Sequence, residues 1–543
     1  MGKGTKFFGL RGFQLNVAVG VIAGMDFLLF GYDQGVMGGI LTMDTFFTTF
    51  PTINTENPPP GQTGSQTSTL QGITVASYNL GCFAGAVATI WIGDLLGRKK
   101  MIMLGTTIMF IGATIQAASF SIPQLVVGRI ITGIGNGMNT STVPMWQSET
   151  SKSHRRGQLV MVEGSLITCG IMLSYWIDYG FAYLQPSEVS WRFPLAFQVF
   201  FCIIILSFIW GLPESPRWLV AKQRDDEAKL VLSALHDKQI DDPYVQSEYS
   251  AIYDTVQITS RGSFRDCFTM GPDRHLHRTI LAYVNQMFQQ ISGINLISYY
   301  SAVIFRQSLG LDAELSRLLA ALNGTEYFIA AIIPIFIIEK FGRRKLMIFG
   351  AAGMSMSMAV LTGTTTDADN RQLGVAAAVF LFVFNTFFAI GWLGMTWLYP
   401  AEVTPLRIRA PANALSTSAN WIWNFMVVMI TPIAFENIAY RTYIIFAVIN
   451  AAIVPVVYFF YPETAYRSLE EMDEIFHKTT NPFNVVRFAK PSETPRRYGK
   501  KGELLLNYHL DTEEGGRTGG TPSQAASSHG EAEKSDVEAG KMA

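Results

Sequence analysis

Long apolar stretches recur along the chain and alternate with short polar segments. Each stretch reaches roughly 20 residues, which is enough for one helical crossing of a hydrocarbon core about 30 Å thick. The pattern therefore predicts an all-α membrane protein with twelve transmembrane helices. The expected spans are residues 13–32, 70–92, 101–119, 123–145, 157–177, 192–212, 278–305, 316–338, 346–364, 373–398, 408–433 and 439–461.

The two halves of the chain repeat one another. Three motifs occur in the same order in each half, about 250 residues apart, which indicates a duplicated six-helix unit. The substrate site of such a repeat is expected near mid-membrane, between the halves. The first-half motifs DLLGRKK (94–100), SETSKSHRR (148–156) and PESPRWL (213–219) correspond to EKFGRRK (339–345), AEVTPLRIR (401–409) and PETAYRSL (462–469).

The distribution of Lys and Arg predicts the orientation in the membrane. These residues gather in loops on one side, whereas residues 33–70 contain no Lys or Arg. The basic side is expected to be cytosolic, with both termini inside and the protein in the plasma membrane. The expected segments are a cytosolic N-terminus (1–12), an N-terminal six-helix bundle (13–212), a cytosolic linker with short helices (213–275), a C-terminal six-helix bundle (276–461) and a cytosolic tail (462–543), largely disordered after about residue 480.

The composition argues against other classes of protein. Of the 543 residues, 49% are hydrophobic and 15% are charged, fewer charges than soluble domains usually carry. A net charge of −1 gives no reason to expect a nucleic-acid partner. The four cysteines lack metal-site spacing, and no nucleophile–base pair or phosphate-binding loop is evident. We expect no enzymatic activity, no catalytic or metal-binding residue and no cofactor.

The stretch QQISGINLISYY, residues 289–300, is unusually polar for a predicted span. An unpaired amide in hydrocarbon costs several kcal/mol, so these groups must meet water, another helix or a ligand. Ser292 and Gly293 are expected to break the helix, which lets the polar side chains converge on one place. The stretch therefore predicts a polar site inside the membrane.

Several motifs together resemble the sugar porter family of the major facilitator superfamily, over roughly residues 15–478. The resemblance implies two pseudo-symmetric six-helix bundles that move a monosaccharide by alternating access, with the protein functional as a monomer. The segment GYDQGVMGG (31–39) is most similar to fungal monosaccharide transporters. The other motifs that carry the resemblance are GRKK (97–100), PESPRWL (213–219), QQISGINLISYY (289–300), GRR (342–344) and PETAYRSLEEMDEIF (462–476).

The resemblance assigns sugar binding to polar and aromatic side chains of the first, seventh, tenth and eleventh spans. Asn and Gln amides both donate and accept hydrogen bonds, so they match the hydroxyls of a neutral sugar. A Trp ring covers the apolar face of a pyranose. The implied substrate-binding residues are Gln289, Gln290, Asn295, Tyr299, Trp397, Asn420, Trp421 and Phe30.

Two positions depart from the family pattern. Gly164 stands where the fifth span usually presents a sugar-binding Gln, and Tyr327 stands where animal members carry a cavity Asn. Gly391 and Gly394 are expected to let the tenth span bend beside this pocket. Because a missing amide and an added ring both reshape the pocket, the choice among hexose, pentose and polyol stays open.

Two ionisable residues are candidates for energy coupling. An ionisable side chain within a membrane is costly and is by default a functional candidate. Asp33, expected at the outer end of the first span, and Arg129 in the fourth span match the proton-coupling pair of symporting relatives. Sugar:proton symport is therefore expected, with the proton as coupling ion. A facilitator without coupling and a sugar sensor with little transport stay as alternatives, because facilitators also carry this Asp.

Charged residues at the cytosolic ends of the spans are interpreted as a charge lock between the halves. Three further acids in spans, Asp26, Glu163 and Glu326, are expected to pair structurally with polar neighbours. The residues of the predicted lock are Glu149, Arg156, Glu402, Arg409, Arg98, Arg343, Arg344, Glu214 and Glu463.

Overall fold

The computed structural model describes residues 7–150, 156–259, 263–366, 370–467 and 469–494. The regular secondary structure of these residues is helical, without a β-strand among them. Twelve spans cross the molecule, numbered here in chain order. The first six are Gly12–Ile40, Gly64–Leu96, Arg98–Ala117, Ile122–Thr150, Arg156–Ala182 and Val189–Ile209. The twelve-helix, two-bundle fold predicted from the sequence is thereby confirmed.

The second six spans include two that are interrupted. Span 7 consists of His275–Gln289 and Asn295–Val303, and span 10 consists of Arg371–Phe388 and Met395–Val403. Spans 8, 9, 11 and 12 are Ala313–Phe341, Arg343–Thr364, Arg409–Ile438 and Arg441–Phe460. The linker holds the helices Pro216–Ala221, Asp225–His236 and Pro243–Thr259, and the tail holds Leu469–Lys478 and Val485–Phe488.

Ten of the twelve spans are long and apolar enough to cross a membrane when judged by length and hydropathy over the described residues. The other two are spans 4 and 7, whose polar side chains lower the hydropathy. Arg129, Asn136 and Asn139 of span 4 are all buried. These polar groups face other helices, so the spans with the weakest membrane signal carry much of the interior chemistry.

Spans 7 and 10 both break into a wider π-type turn, at residues 290–294 and 389–393. Gly293 adopts φ = 103°, a conformation that disfavours any residue with a Cβ. Gly391 lies so close to span 9 that an added Cβ would stand 2.6 Å from the carbonyl oxygen of Leu346. The break at Ser292–Gly293 and the bend beside Gly391 are therefore confirmed.

Span 1 is longer than the sequence predicts. It continues to Ile40, so Asp33 lies two turns inside the helix, and its expected place at the outer end of the span is wrong. The continuation packs closely on span 5: a Cβ at Gly35 or Gly39 would overlap Ser174 or Asp178. The polar segment is thus buried against another helix rather than leaving the membrane.

The two halves meet along spans 2 and 11 and along spans 5 and 8. At Gly72 the backbones approach closely, since an added Cβ would lie 2.5 Å from the carbonyl oxygen of Met429. The span ends that carry Gly97 and Gly342 are called the motif face. The opposite ends, where residues 41–63 connect spans 1 and 2, are called the loop face. The candidate site lies between these faces.

Candidate functional site

Five amide side chains of spans 7 and 11 form one hydrogen-bonded series, called here the amide chain. Asn295 donates to Gln290 Oε1 (2.6 Å), and Gln290 donates to Gln289 Oε1 (2.8 Å). Asn420 donates to Gln289 Oε1 (3.1 Å) and to Gln286 Oε1 (2.6 Å). All five are buried, so the polar stretch of span 7 faces the protein interior and not lipid.

The amide chain also holds the broken segment of span 10. Gln289 donates to the carbonyl oxygens of Trp392 (3.1 Å) and Leu393 (3.2 Å), and Gln286 donates to that of Thr396 (2.9 Å). A π-type turn leaves backbone carbonyls without their usual helical donors. The amides therefore donate hydrogen bonds to carbonyl groups at the break in span 10 and hold this segment beside span 7.

The two tryptophans of span 10 have different surroundings. Trp392 is fully buried and donates from Nε1 to the carbonyl oxygen of Met347 (3.0 Å), so it packs span 10 on span 9. Trp397, the expected sugar-stacking ring, is half-buried and directly follows the anchored Thr396. Trp397 is therefore the less buried of the two tryptophans.

Several buried polar atoms beside the amide chain have no hydrogen-bond partner within the protein. Both side-chain atoms of Asn424 and Nε1 of Trp421 are unpaired, although each residue is 0% exposed. Nδ2 of Asn79, on span 2, is unpaired as well. Leaving a buried donor or acceptor unpaired costs about 1–3 kcal/mol. Such groups need partners, and a polar ligand or water that enters between the halves would supply them.

Aromatic rings connect the candidate site to the first half. The ring of Phe30 on span 1 meets that of Trp421 on span 11 edge to face, with centroids 5.2 Å apart. Tyr78 of span 2 contacts the same Trp421 ring at 6.4 Å. Tyr299 donates to Asn79 Oδ1 (3.0 Å), so this expected sugar ligand bonds to span 2 and not to the amide chain.

Tyr78 also joins the two candidate coupling residues. Its hydroxyl donates to Asp33 Oδ2 (3.3 Å), and the Arg129 guanidinium lies 5.4 Å from its ring centroid. Arg129 donates to the carbonyl oxygen of Val75 (2.9 Å). Asp33 and Arg129 are both buried inside the first half. One tyrosine therefore contacts Asp33, Arg129 and, through Trp421, the sugar-site candidates.

The other acids in spans occupy different places. Asp26 accepts from Asn139 (2.8 Å), and Glu326 accepts from Thr386 (2.5 Å). Glu163 is buried on span 5. The positions that depart from the family pattern are also packed. A Cβ at Gly164 would lie 3.3 Å from Leu393 in the break of span 10, and the Tyr327 ring packs 6.1 Å from that of Phe388.

The predicted charge lock forms two matching clusters, one in each half. In the first, Arg98 pairs with Glu149 (3.1 Å), while Glu214 accepts from the backbone nitrogens of Arg98 (3.0 Å) and Lys99 (3.2 Å). Burial raises the pKa of the Glu214 carboxyl, which lies outside the spans. The carboxylate caps the start of span 3, where backbone N–H groups point outward.

The second cluster repeats this geometry. Arg343 pairs with Glu402 (2.8 Å), and Glu463 accepts from the backbone nitrogens of Arg343 (2.8 Å) and Arg344 (3.2 Å). Arg409 donates to the carbonyl oxygen of Thr404 (3.1 Å). These bonds join helices of the same half. The side chain of Arg156 lies outside the described residues, and the lock between halves stays a prediction.

On the loop face, side chains of one half bond directly to the other half. Arg306 pairs with Glu56 (2.7 Å), and both Arg306 and Arg317 donate to the carbonyl oxygen of Thr42 (3.0 Å each). Tyr175 donates to the carbonyl oxygen of Ser298 (3.0 Å). We call these bonds the loop-face clasp, because they hold the two halves together on this side.

Sequence reasoning missed Gln286, Tyr78, Asn79 and the residues of the clasp. The polar pair Tyr78–Asn79 within an apolar span was a usable signal, since polar groups in a span need partners. Gln286 precedes Gln289 and Gln290 by about one turn and shares their face. The clasp left no signal, because its acceptors include backbone carbonyls that only the fold brings near Arg306 and Arg317.

Comparison with known proteins agrees with this architecture. Sugar transporter STL1 of Saccharomyces cerevisiae is 41% identical over 492 residues, which cover 89% of this chain and 85% of that protein. MFS-type transporter oryC of Aspergillus oryzae is 44% identical over 488 residues, covering 88% of each. Both relatives are matched along most of their length.

Among solved structures, the fold matches that of the proton:xylose symporter XylE from E. coli, bound to 6-bromo-6-deoxy-D-glucose. The TM-score is 0.71 with 24% identity, over 85% of this chain and 99% of that one. The family model described as sugar (and other) transporter matches residues 18–476. The chain therefore belongs to the sugar (and other) transporter family, within the major facilitator superfamily.

Proposed function

We propose that this protein carries a monosaccharide, a hexose or a pentose, across the plasma membrane by alternating access, in symport with a proton. The observation that carries the proposal is the amide chain with unpaired buried polar atoms beside it. Hydroxyls of a neutral sugar supply both donors and acceptors to such groups. The loop face is then extracellular, and the motif face and both termini are cytosolic, in keeping with the basic residues at the motif face.

In this proposal the second half supplies most of the sugar contacts. Gln289, Gln290, Asn295 and Asn420 exchange their mutual hydrogen bonds for bonds to sugar hydroxyls. Trp397 covers the apolar face of the sugar ring. Trp421, Tyr299 and Phe30 complete the pocket from spans 11, 7 and 1.

Proton coupling is proposed for Asp33 and Arg129 because both are ionisable, buried and joined through Tyr78. A guanidinium near a carboxyl group favours its ionised form, so a movement that changes their separation changes proton binding. Tyr78 contacts Trp421, which gives sugar binding a physical path to this movement. A facilitator uses the same pocket without this step.

The testing experiment is sugar uptake in a transporter-deficient cell, with and without a protonophore. The wild type should accumulate its sugar against a gradient only when the proton gradient is intact. Asp33→Asn should abolish accumulation while counterflow exchange of sugar persists. Asp26→Asn is the matched control, since the same change lies two turns away on span 1 and should leave accumulation intact.

Each other outcome identifies a different function. Accumulation that survives both the protonophore and Asp33→Asn would exclude proton symport through Asp33. Downhill flux without accumulation in the wild type would indicate a facilitator. Binding without flux in reconstituted vesicles would indicate a sensor. A panel of competing hexoses, pentoses and polyols in the same assay identifies the substrate.

A further inference from the structure

A cavity lies on the loop face, and none of its lining residues belongs to the amide chain. Its volume is about 240 Å³. Ser68 and Gln71 of span 2 line it from the first half, and Thr431, Tyr440 and Tyr443 line it from the ends of spans 11 and 12. The cavity therefore lies at the boundary between the halves, on the same side as the loop-face clasp.

The lining combines hydroxyls, amides and aromatic rings. Gln71 is buried and is held by a bond from Nε2 to the carbonyl oxygen of Ile53 (3.1 Å). Phe435 and Tyr443 pack edge to face with centroids 5.6 Å apart and form one wall. Among the described lining residues Glu436 alone carries a charge, and it is exposed.

Ser68 supplies a second and independent indication of a ligand. It is 1% exposed, it lines the cavity, and its hydroxyl has no hydrogen-bond partner within the protein. A helical serine usually satisfies its hydroxyl on a carbonyl of the preceding turn. A change of the Ser68 rotamer would present this unmatched hydroxyl to a group inside the cavity.

We propose that this cavity is a second binding site for a small, neutral, polyhydroxylated molecule, either a monosaccharide or a sugar alcohol. Rings with neutral donors and acceptors suit such a ligand, and the near absence of charge in the lining disfavours ions. The volume lies below the roughly 300–1,000 Å³ of sites for drug-sized ligands, which limits the ligand to about one sugar unit.

The inference rests on the proposed transport function and adds a regulatory site to it. None of the lining residues belongs to the amide chain. Both halves line the cavity, so its shape depends on how they meet. A ligand that fits this shape favours the conformation with the loop face closed. Occupancy from the extracellular side then regulates how often the carrier reopens outward.

The test measures protection of an introduced thiol in the full-length protein. Tyr440→Cys, at a half-buried lining position, is reacted with a small, charged, membrane-impermeant methanethiosulfonate from the loop face, with D-glucose, D-xylose or sorbitol present. Of the four native cysteines, Cys82, Cys202 and Cys267 are buried and Cys169 is half-buried, so every variant also carries Cys169→Ser. The reaction should slow by about threefold once a ligand exceeds twice its Kd. Comparing the three probes separates a monosaccharide from a sugar alcohol as the ligand.

Three controls make the result decisive. The experiment is repeated with Gln289→Leu, which removes the central acceptor of the amide chain, and protection should persist. Ser65→Cys, exposed on span 2 and outside the cavity lining, should show no protection. Sucrose exceeds the cavity and should not protect. Thr55→Cys, at another half-buried lining position, replaces Tyr440→Cys if the latter does not fold.

The proposal fails if none of the three probes protects, since the cavity then holds solvent only. It also fails if protection disappears with Gln289→Leu, which would assign the effect to the central site. Equal protection by sucrose would assign it to an osmotic effect. Uptake of sugar by the wild type is measured in parallel, so failure here is distinguishable from failure of the proposed transport function.

Discussion

Tyr78 is the residue at which the two candidate functions of the molecule meet. Its ring touches Trp421 of the sugar-site candidates, and its hydroxyl reaches Asp33. Neither contact alone needs a tyrosine, because a phenylalanine can pack and a serine can donate. The combination of ring and hydroxyl at this position explains why span 2 carries a polar aromatic residue here.

Tyr78→Phe tests the connection. The ring contacts persist and the bond to Asp33 is lost, so we expect sugar exchange near the wild-type rate and an accumulation ratio lowered roughly fivefold, as for a bond contributing about 1 kcal/mol. Uptake and counterflow in vesicles measure both. Tyr32→Phe removes another buried hydroxyl bond, to the carbonyl oxygen of Pro194, and should change neither. Equal loss of exchange and accumulation in Tyr78→Phe would contradict the prediction.

Gln289 is the most connected member of the amide chain. Its Oε1 accepts two hydrogen bonds and its Nε2 donates to span 10. In Gln289→Leu those partners lose their bonds, and we expect sugar affinity to fall by roughly 5- to 150-fold, for about 1–3 kcal/mol. Binding of labelled sugar measures the change. The same change at Gln116, which bonds Thr132 between spans 3 and 4, should leave affinity unaltered. Comparable losses in both variants would indicate a general packing effect.

At the scale of the helix, the sequence predicts regular elements better than their exceptions. The spans follow from apolar length, and the break in span 7 follows from Ser292–Gly293. The end of span 1 does not follow, because Gly35 and Gly39 lie in a polar stretch whose burial depends on span 5. The amide chain was predicted as four separate polar candidates. Its attachment to backbone carbonyls of span 10 was not predicted, since it requires the break at 389–393.

Gly293→Ala tests the break in span 7. A Cβ at φ = 103° costs about 1–3 kcal/mol in strain and would lie 2.8 Å from Cε of Met358. We expect a lower Tm in detergent and reduced uptake, because Gln289 and Asn295 on either side lose their alignment. Gly363→Ala is the control, since nothing lies within 4 Å of its added Cβ. An unchanged Tm and unchanged uptake in Gly293→Ala would show that the break tolerates a side chain.

At the scale of the whole molecule, the described residues bond the two halves to one another on the loop face. The loop-face clasp joins the halves through Arg306, Arg317 and Tyr175, whereas the two charge clusters of the motif face join helices within each half. Alternating access requires that the clasp open when the loop face opens. The clasp is therefore expected to set the balance between the two conformations.

Glu56→Gln tests this balance by removing the charge that pairs with Arg306. The pair is partly buried, and its loss should change the ratio of conformations by roughly fivefold toward the loop-open form, for about 1 kcal/mol. Thiol accessibility at a cysteine placed at Ser298 reports the opening. Glu227→Gln, in an exposed pair with Arg224 on a linker helix, should have no effect. Unchanged accessibility in Glu56→Gln would contradict the expectation that the clasp sets the balance between the two conformations.

The amide chain lies entirely on spans 7 and 11, whereas Asp33 and Arg129 lie on spans 1 and 4. In the proposed function, sugar recognition by the amide chain and proton coupling through Asp33 and Arg129 therefore lie in different halves of the protein. Because the two proposed roles lie in different halves, chimeric proteins can test them separately. Replacing the second half with that of a relative should change which sugar is transported and leave proton coupling unchanged.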